Sequence, residues 1–196
     1  MERLNNNVLV VDDDPALLEQ AEAILSPQYG VSLASSGEQA LHFLEKGNRP
    51  DLILLDILMP GMDGYETLAA IRAVEGCGHI PVVYITSLTG PDAEVKGLTS
   101  GAADFLTKPF VPQVLLTRVA LRLRKENALN EERLSALPVP LTERERRVLR
   151  LLARGRSNEE ISRELHYSYG YVKQLVSRVL GKLGVRSRKE LSQFFY

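Results

Sequence analysis

Acidic residues follow two of the most apolar stretches of the chain. Asp12 and Asp13 come directly after residues 8–11, which are all Val or Leu, and Asp56 follows residues 52–55, which are all Leu or Ile. An ionised carboxylate inside a buried strand costs several kcal/mol unless it is paired, bound to a metal or placed at a solvent-facing end. Turn signals follow Asp56, so we predict that it lies at the carboxyl end of its strand, where open α/β sheets bind ligands.

Three carboxylates brought together would repel one another, because like charges a few ångströms apart raise each other's pKa. A divalent cation removes this conflict. Oxygen ligands without a nearby His or Cys favour a hard ion, and two or three carboxylates with water suit Mg²⁺ better than Ca²⁺. Lys108 and Thr86, also at predicted strand ends, can neutralise and hydrogen-bond an incoming anion. A carboxylate beside Mg²⁺ and Lys is placed to attack phosphorus and form an acyl phosphate.

Bringing these residues together requires a parallel sheet. The predicted strands are residues 8–11, 29–34, 52–56, 80–86 and 103–107, and the predicted helices are residues 15–25, 36–44, 65–74, 92–100 and 112–134. This alternation predicts an α/β unit with five parallel strands in a doubly wound, flavodoxin-like sheet. Right-handed crossovers place every strand-to-helix loop at one edge of it. We assign Asp14, which precedes Pro15, to a helix cap rather than to the metal site.

The helix predicted at residues 112–134 carries a heptad pattern. Leu116, Leu123, Asn130 and Leu137 recur every seven residues. One alternative is a short coiled-coil dimer seam in which Asn130 sets the register. The other is core packing in the first half and a solvated linker in the second, which we prefer because a coiled coil needs several heptads. Prolines beyond Leu137 end the helix, and we predict domains at 1–125 and 141–196 with a linker at 126–140.

The two parts of this 196-residue chain carry opposite charge. Residues 1–136 have 11 basic and 19 acidic side chains, whereas residues 137–196 have 13 and 6. A basic unit of this kind suits a polyanion. The single cysteine, Cys77, excludes an internal disulfide and fits a reducing compartment, and no apolar run approaches the roughly 20 residues of a membrane helix. We therefore expect a cytoplasmic protein without membrane contact.

The basic part predicts a small all-α domain of four short helices. They are residues 142–154, 158–165, 169–183 and 187–194. Capping boxes begin at Thr142, Ser157 and Ser187, and Gly184 follows a helix end. The second and third helices have helix-turn-helix proportions, in which the second helix of the motif enters the major groove of DNA. The predicted DNA contacts on that helix are Lys173, Arg178, Lys182, Tyr171 and Gln174.

The strand-end residues together resemble a known family. The motifs are Val-Val-Asp12-Asp13, Asp56-Ile-Leu-Met-Pro-Gly-Met-Asp-Gly, Ile85-Thr86-Ser87 and Lys108-Pro109-Phe110. Their combination is similar to the receiver domain of two-component response regulators, over residues 5 to about 125. The resemblance implies that Asp56 is the phospho-acceptor and that a sensor histidine kinase is its partner. It also implies that Asp13 and Asp56 bind Mg²⁺ directly with the backbone carbonyl of Leu58, while Asp12 helps through water.

The resemblance also assigns the residues around the phosphate. Lys108 would contact the phosphoryl group, and a cis peptide is implied between Lys108 and Pro109. Thr86 and Phe105 would form the switch pair that reports phosphorylation. Phe105 replaces the Tyr of many members, which removes a hydroxyl but keeps the aromatic ring, so its rotamer can still act as the readout.

The basic part resembles the LuxR-type (NarL/FixJ) DNA-binding domain across residues 138–196. The match is carried by Leu141-Thr-Glu-Arg-Glu, Leu151-Leu-Ala-Arg-Gly, Ser157-Asn-Glu-Glu-Ile, Val172-Lys173 and Lys182-Leu-Gly-Val-Arg186. The chain departs from the family in the recognition helix, where Tyr171, Leu175 and Val176 replace mostly polar residues. If exposed, Leu175 and Val176 could touch thymine methyl groups, or they could form a protein-binding surface.

These features lead to one principal interpretation and two rivals. The principal one is a response regulator, not an enzyme, in which Mg²⁺-dependent phosphorylation of Asp56 promotes a homodimer and controls DNA binding. The first rival is a phosphorelay or protein-interaction switch whose helix-turn-helix no longer binds DNA. The second is a phosphatase that uses the Asp and Mg²⁺ site. It is disfavoured because such enzymes need an acidic residue two positions beyond the nucleophile, where this chain has Leu58.

Overall fold

The computed structural model describes residues 6–87, 101–137 and 139–191. The chain divides into two compact units, Met1–Lys125 and Glu126–Tyr196. Within the described residues, no helix combines the length and the apolar character that crossing a membrane would require.

The first unit is a five-stranded sheet in which every pairing is parallel. Its strands are β1 (Asn7–Val11), β2 (Gly30–Ala34), β3 (Leu52–Asp56), β4 (Val82–Thr86) and β5 (Asp104–Thr107), in the order β2-β1-β3-β4-β5. Its helices are α1 (Pro15–Leu25), α2 (Gly37–Glu45), α3 (Gly64–Ala73) and the first part of α4 (Pro112–Ser135), which continues into the second unit after Lys125. The predicted doubly wound fold is therefore confirmed. The helix predicted at residues 92–100 lies outside the described residues.

Successive side chains of a strand point to opposite faces of the sheet, and helices cover both faces. On one face Val10, Leu54 and Ile85 pack in a cluster with residues of α1 and α4. On the other face Leu55 and Tyr84 pack in a cluster with residues of α2 and α3. Both kinds of position are apolar in the central strands β1 and β3, which explains why residues 8–11 and 52–55 are continuous aliphatic runs.

The helix starts follow the sequence signals. Asp14 caps α1, and its side chain accepts a hydrogen bond from the Ala16 N–H. Ser36 caps α2 in the same way through the Gln39 N–H. Asp63, at the turn after β3, forms a capping box with Glu66 at the start of α3. These caps fix where each strand-to-helix loop ends.

Gly64 begins α3 at a point where the helix packs directly on the end of β3. A Cβ atom on Gly64 would lie 2.3 Å from the carbonyl oxygen of Asp56 and 2.7 Å from the Cα atom of Ile57. Both neighbours are backbone atoms, so they can move only if the end of the strand moves. The absence of a side chain at residue 64 is therefore part of what positions Asp56.

We expect Gly64→Ala to lower the free energy of unfolding by about 1–3 kcal/mol, the usual cost of overpacking. Urea denaturation followed by circular dichroism measures this change. Gly181→Ala is the matched control, because a Cβ on this helical glycine meets no atom within 4 Å apart from the adjoining backbone of its own helix. That control should gain about 0.5–1 kcal/mol from the helix preference of alanine. A Gly64→Ala variant as stable as the wild type would contradict the close packing of α3 on β3.

Helix α4 uses its apolar heptad positions in the cores of the two units. Leu123 is buried and Leu116 partly buried against the sheet cluster of the first unit. Leu134 is buried and Leu137 partly buried in the core cluster of the second unit. These contacts support the predicted core packing for the first half of the helix. The predicted solvated linker for the second half is wrong at Leu134 and Leu137, which pack in a core as well. The side chain of Asn130, the proposed register position, lies outside the described residues. The proposed linker, residues 126–140, is helical as far as Ser135.

The second unit contains α5 (Glu143–Ala153), α6 (Asn158–Leu165) and α7 (Tyr169–Leu183), followed by a 3₁₀ turn at Lys189–Leu191. The capping boxes at Thr142 and Ser157 are present, and Gly184 ends α7 in the left-handed conformation with φ of 70°. The helix predicted at residues 187–194 is a 3₁₀ turn where the structure describes it, and its last three residues lie outside that part. The short connection between α6 and α7 confirms the helix-turn-helix proportions.

Candidate functional site

Three carboxylates converge at the carboxyl edge of the sheet. Asp12 follows the last residue of β1, and Asp56 is the last residue of β3. One oxygen from each of Asp12, Asp13 and Asp56 lies within 4.8 Å of the others. Asp12 and Asp56 are buried, whereas Asp13 is exposed. The pocket is thus closed on the side of the sheet and open to solvent beside Asp13.

Lys108 inserts its ammonium group between the two buried carboxylates. Its Nζ atom lies 2.6 Å from Asp12 Oδ2 and 2.7 Å from Asp56 Oδ2, and only 9% of its side chain is exposed. Its backbone N–H donates to the carbonyl oxygen of Thr86, which ties the loop after β5 to the end of β4. The peptide bond between Lys108 and Pro109 is cis, as expected from the resemblance.

Burial and charge oppose each other in this pocket. Burial raises the pKa of the Asp12 carboxyl above its ordinary value, and the contact with Lys108 offsets only part of this rise. Burial by itself would lower the pKa of Lys108, but its hydrogen bonds to Asp12 and Asp56 outweigh burial and raise the pKa. Lys108 therefore stays charged and serves as the internal counter-ion of the carboxylates.

The donor set fits a magnesium ion. The cluster offers carboxylate oxygens only, which is the chemistry that a hard divalent cation prefers. Asp13 keeps the cluster open to solvent, so water can complete the coordination shell. The Leu58 N–H donates to Asp56 Oδ1 at 3.2 Å, which orients the Asp56 carboxylate. The role of the Leu58 carbonyl as a ligand stays a prediction.

Thr86 and Phe105 occupy neighbouring strands beside this pocket. Thr86 is the last residue of β4 and is fully buried. Phe105 lies in β5 and packs partly buried against the cluster beneath α2 and α3. Adjoining Phe105, Asp104 forms ion pairs with Arg118 and Arg122 of α4, at 3.3 and 3.0 Å. Sequence reasoning missed this link, although the four-residue spacing of the two arginines places them on one helix face.

The exposed surface of α7 carries polar and basic side chains. Lys173, Gln174 and Arg178 are exposed, and Tyr171 is partly buried. Lys182 is different, because its Nζ donates to Glu145 Oε2 at 2.8 Å and to the Pro140 carbonyl at 3.1 Å. The Lys182 ammonium is therefore already engaged as a donor to α5 and to the segment before it.

Leu175 and Val176 are buried in the core of the second unit. The predicted contacts with thymine methyl groups, and the alternative of a protein-binding surface, both required these two side chains to be exposed. The structure therefore does not support either role. They follow Val172 and precede Val179 with the spacing of one helical stripe, which is the ordinary pattern of a core-facing helix. These two positions therefore contribute no exposed side chain to the surface of α7.

Comparisons with known proteins cover both units. Residues 8–120 match the family model described as response regulator receiver domain, and residues 139–195 match that of bacterial regulatory proteins of the luxR family. The DNA-binding response regulator MtrA of Mycolicibacterium smegmatis is 39% identical over 136 residues, which cover 69% of this chain and 58% of MtrA. The response regulator Rre1 of Synechocystis sp. is 31% identical, over 96% of this chain and 94% of Rre1.

Solved structures are similar to the first unit. The chemotaxis protein CheY4 of Vibrio cholerae has a TM-score of 0.56 and 31% identity, over 61% of this chain and 99% of that chain. The receiver domain of the Francisella response regulator 1452 has a TM-score of 0.56 and 30% identity, over 62% of this chain and 98% of that chain.

The sequence relatives differ in how much of their length is matched. The MtrA match spans less than two thirds of MtrA, whereas the Rre1 match spans nearly all of Rre1.

Proposed function

Since this chain belongs to the two-component response regulators with a LuxR-family DNA-binding domain and acts as a transcription regulator, we propose that its signal enters at Asp56. In this proposal a partner histidine kinase donates a phosphoryl group to the Asp56 carboxylate. Residues 1–125 form the receiver, residues 126–140 the linker and residues 141–196 the output domain. Phosphorylation favours a homodimer with higher affinity for DNA.

The observation that carries the proposal is the convergence of three carboxylates around one lysine. A carboxylate oxygen of Asp56 forms a bond to phosphorus as the bond between phosphorus and the donor's nitrogen breaks. Lys108 exchanges its contact with Asp56 for a contact with a phosphoryl oxygen, while its charge offsets that of the incoming group. Asp12, Asp13 and Asp56 are the residues that would hold Mg²⁺, which when bound neutralises charge on the phosphoryl oxygens.

Thr86 is the residue proposed to sense the phosphoryl group. It lies at the end of β4, next to Lys108, and its hydroxyl is the group that can hydrogen-bond a new oxygen on Asp56. Phe105 on the adjoining strand is only partly buried, and its ring rotamer is the second part of the proposed switch. In the proposal the phosphoryl group shifts Thr86 and Phe105 from one arrangement to another, and the new arrangement changes the receiver surface around them.

The second domain is proposed to bind DNA through α7. Lys173 and Arg178 contact phosphates, and Tyr171 and Gln174 complete the contact surface. The exposure of Lys173, Gln174 and Arg178 supports this assignment, as does the basic composition of residues 137–196. The architecture is that of a regulator rather than a metabolic enzyme.

Footprinting of genomic DNA tests the proposal as a whole. We expect protected sites in the presence of beryllofluoride, which mimics the phosphoryl group, and weaker protection without it. The Asp56→Ala variant should show no response to beryllofluoride, because it lacks the carboxylate to which the mimic binds. Protection that the wild type and the variant show equally would contradict a switch at Asp56. Absence of protection in every state would contradict DNA binding by the second domain.

A further inference from the structure

Tyr171 lies where three elements of the second unit meet. Its ring packs edge-on against the ring of Tyr167, with the centroids 5.3 Å apart and 67° between the planes. Its hydroxyl oxygen accepts a hydrogen bond at 3.3 Å from Arg144 Nη1 on α5. Its backbone N–H donates to Ser168 Oγ, which caps α7. The side chain is thus held by α5 and by the turn before α7, while the cap of α7 holds the backbone of the same residue.

The hydrogen bond from Arg144 determines what the Tyr171 hydroxyl can do. A phenol has one proton to donate, and its oxygen is already an acceptor for the guanidinium. The proton is therefore available to a second group, and the positive neighbour makes it a stronger donor. The acceptor that such a pair favours is an anionic oxygen.

The neighbours of Tyr171 on α7 indicate which anion this is. Gln174 and Arg178 follow Tyr171 by three and seven residues, so the three lie on one face of the helix. Gln174 and Arg178 are exposed, and so is Arg144. In protein–DNA interfaces tyrosine hydroxyls and arginines of this kind contact backbone phosphates.

We propose that Arg144 is a positioning residue for DNA binding, which orients the Tyr171 hydroxyl so that it donates a hydrogen bond to a DNA phosphate. Tyr167 fixes the plane of the Tyr171 ring in the same arrangement. This inference rests on the proposed function of the second domain and gives a residue outside the helix-turn-helix an indirect role in its DNA binding. Arg144 acts through Tyr171 and does not itself contact the phosphate.

Fluorescence anisotropy with a labelled DNA duplex of mixed sequence, measured over a range of salt concentrations on the full-length protein, tests the relay. We expect Tyr171→Phe to weaken binding about 10- to 150-fold, the effect of one hydrogen bond to a charged group. The salt slope should not change, because a neutral hydroxyl releases no counter-ion. Arg144→Gln should give a similar loss with an unchanged slope, and the double variant should bind no more weakly than either single one.

Two matched variants complete the experiment. Lys173→Gln removes a proposed phosphate contact and should lower the magnitude of the salt slope by about one. Arg147→Gln removes the same charge as Arg144→Gln from the same helix, but Arg147 pairs with Glu143 rather than with Tyr171. It should have little effect on affinity. Thermal unfolding by circular dichroism identifies any variant whose domain fails to fold. If Arg144→Gln fails to fold, Arg144→Lys replaces it in the test. Arg144→Lys keeps a cationic donor and should retain part of the wild-type affinity.

Three outcomes would overturn the relay. Losses that add in the double variant would show that Arg144 and Tyr171 act independently. A salt slope that falls in Arg144→Gln would show a direct phosphate contact by Arg144. Wild-type affinity in Tyr171→Phe would remove the hydroxyl from the interface. A wild-type protein that does not bind the duplex contradicts the proposed function of the domain, and the relay with it, whereas the first three outcomes leave DNA binding intact.

Discussion

Asp56→Asn is expected to abolish phosphorylation by acetyl phosphate in the presence of Mg²⁺, while the protein stays folded. The amide lacks the negatively charged oxygen that attacks phosphorus, and no neighbouring carboxylate occupies the same position at the end of β3. Folding should survive because Lys108 keeps its 2.6 Å contact with Asp12, and the substitution also removes one of three mutually repelling charges. Gels that separate phosphorylated from unphosphorylated protein measure the transfer.

Asp14→Asn is the matched control for this experiment. Asp14 is close to the cluster in sequence, but its side chain caps α1 through the Ala16 N–H. Asparagine caps helices about as well as aspartate, so the control should fold and accept phosphate at the wild-type level. Phosphorylation of Asp56→Asn at the wild-type rate would exclude Asp56 as the acceptor. Loss of phosphorylation in the Asp14→Asn control would show that the effect does not depend on the cluster.

Glu145→Gln is expected to destabilise the second unit by about 2 kcal/mol, the scale of a hydrogen bond to a charged group in a buried site. Only 1% of the Glu145 side chain is exposed. Its Oε2 atom accepts hydrogen bonds from the Thr142 N–H at 2.8 Å, from the Thr142 hydroxyl at 2.9 Å and from Lys182 Nζ at 2.8 Å. A glutamine side chain can still accept the hydrogen bonds from Thr142 that form the capping box, but it leaves the Lys182 ammonium without its anionic partner.

The same contacts make the stability of the second unit depend on pH. Burial by itself would raise the pKa of Glu145, but the hydrogen bonds from Lys182 and Thr142 outweigh burial and lower the pKa from 4.5 to about 2. Because the pKa is lower in the folded state, the stabilisation is complete above pH 4.5 and is lost as the pH falls towards 2. Lys182 is 34% exposed, so solvent screening reduces the gain below what the full shift would give.

Urea denaturation between pH 7 and pH 2 measures both effects. The wild type should lose stability below about pH 5, and Glu145→Gln should start lower and lose less over the same interval. Glu143→Gln is the matched control, because Glu143 is 63% exposed and its pairs with Arg147 and Arg150 are 3.4 and 3.7 Å long. It should change stability by less than about 0.5 kcal/mol. Equal curves for the wild type and Glu145→Gln would rule out a stabilising buried ion pair.

Local patterns were sufficient to predict the first unit and its acidic pocket. Strands β1 and β3 were aliphatic runs, and Asp12, Asp56, Thr86 and Lys108 came at the ends of predicted strands. In a parallel sheet with right-handed crossovers, all such ends meet at one edge. Asp56 follows Asp12 by 44 positions and precedes Lys108 by 52. This rule nevertheless predicts that the three residues lie together, without knowledge of any contact.

The partners of individual polar side chains were not available from local patterns. Lys182 was assigned to DNA together with Lys173 and Arg178 because all three lie on the recognition helix, but its ammonium pairs with Glu145, 37 residues earlier. The spacing of Val172, Leu175, Val176 and Val179 did contain the signal for burial, and comparison with the family's polar residues obscured it. Periodicity shows which helix face is apolar, whereas the packing of α5 against α7 determines which polar groups come within hydrogen-bonding distance. The Arg144–Tyr171 contact between these helices arises in the same way.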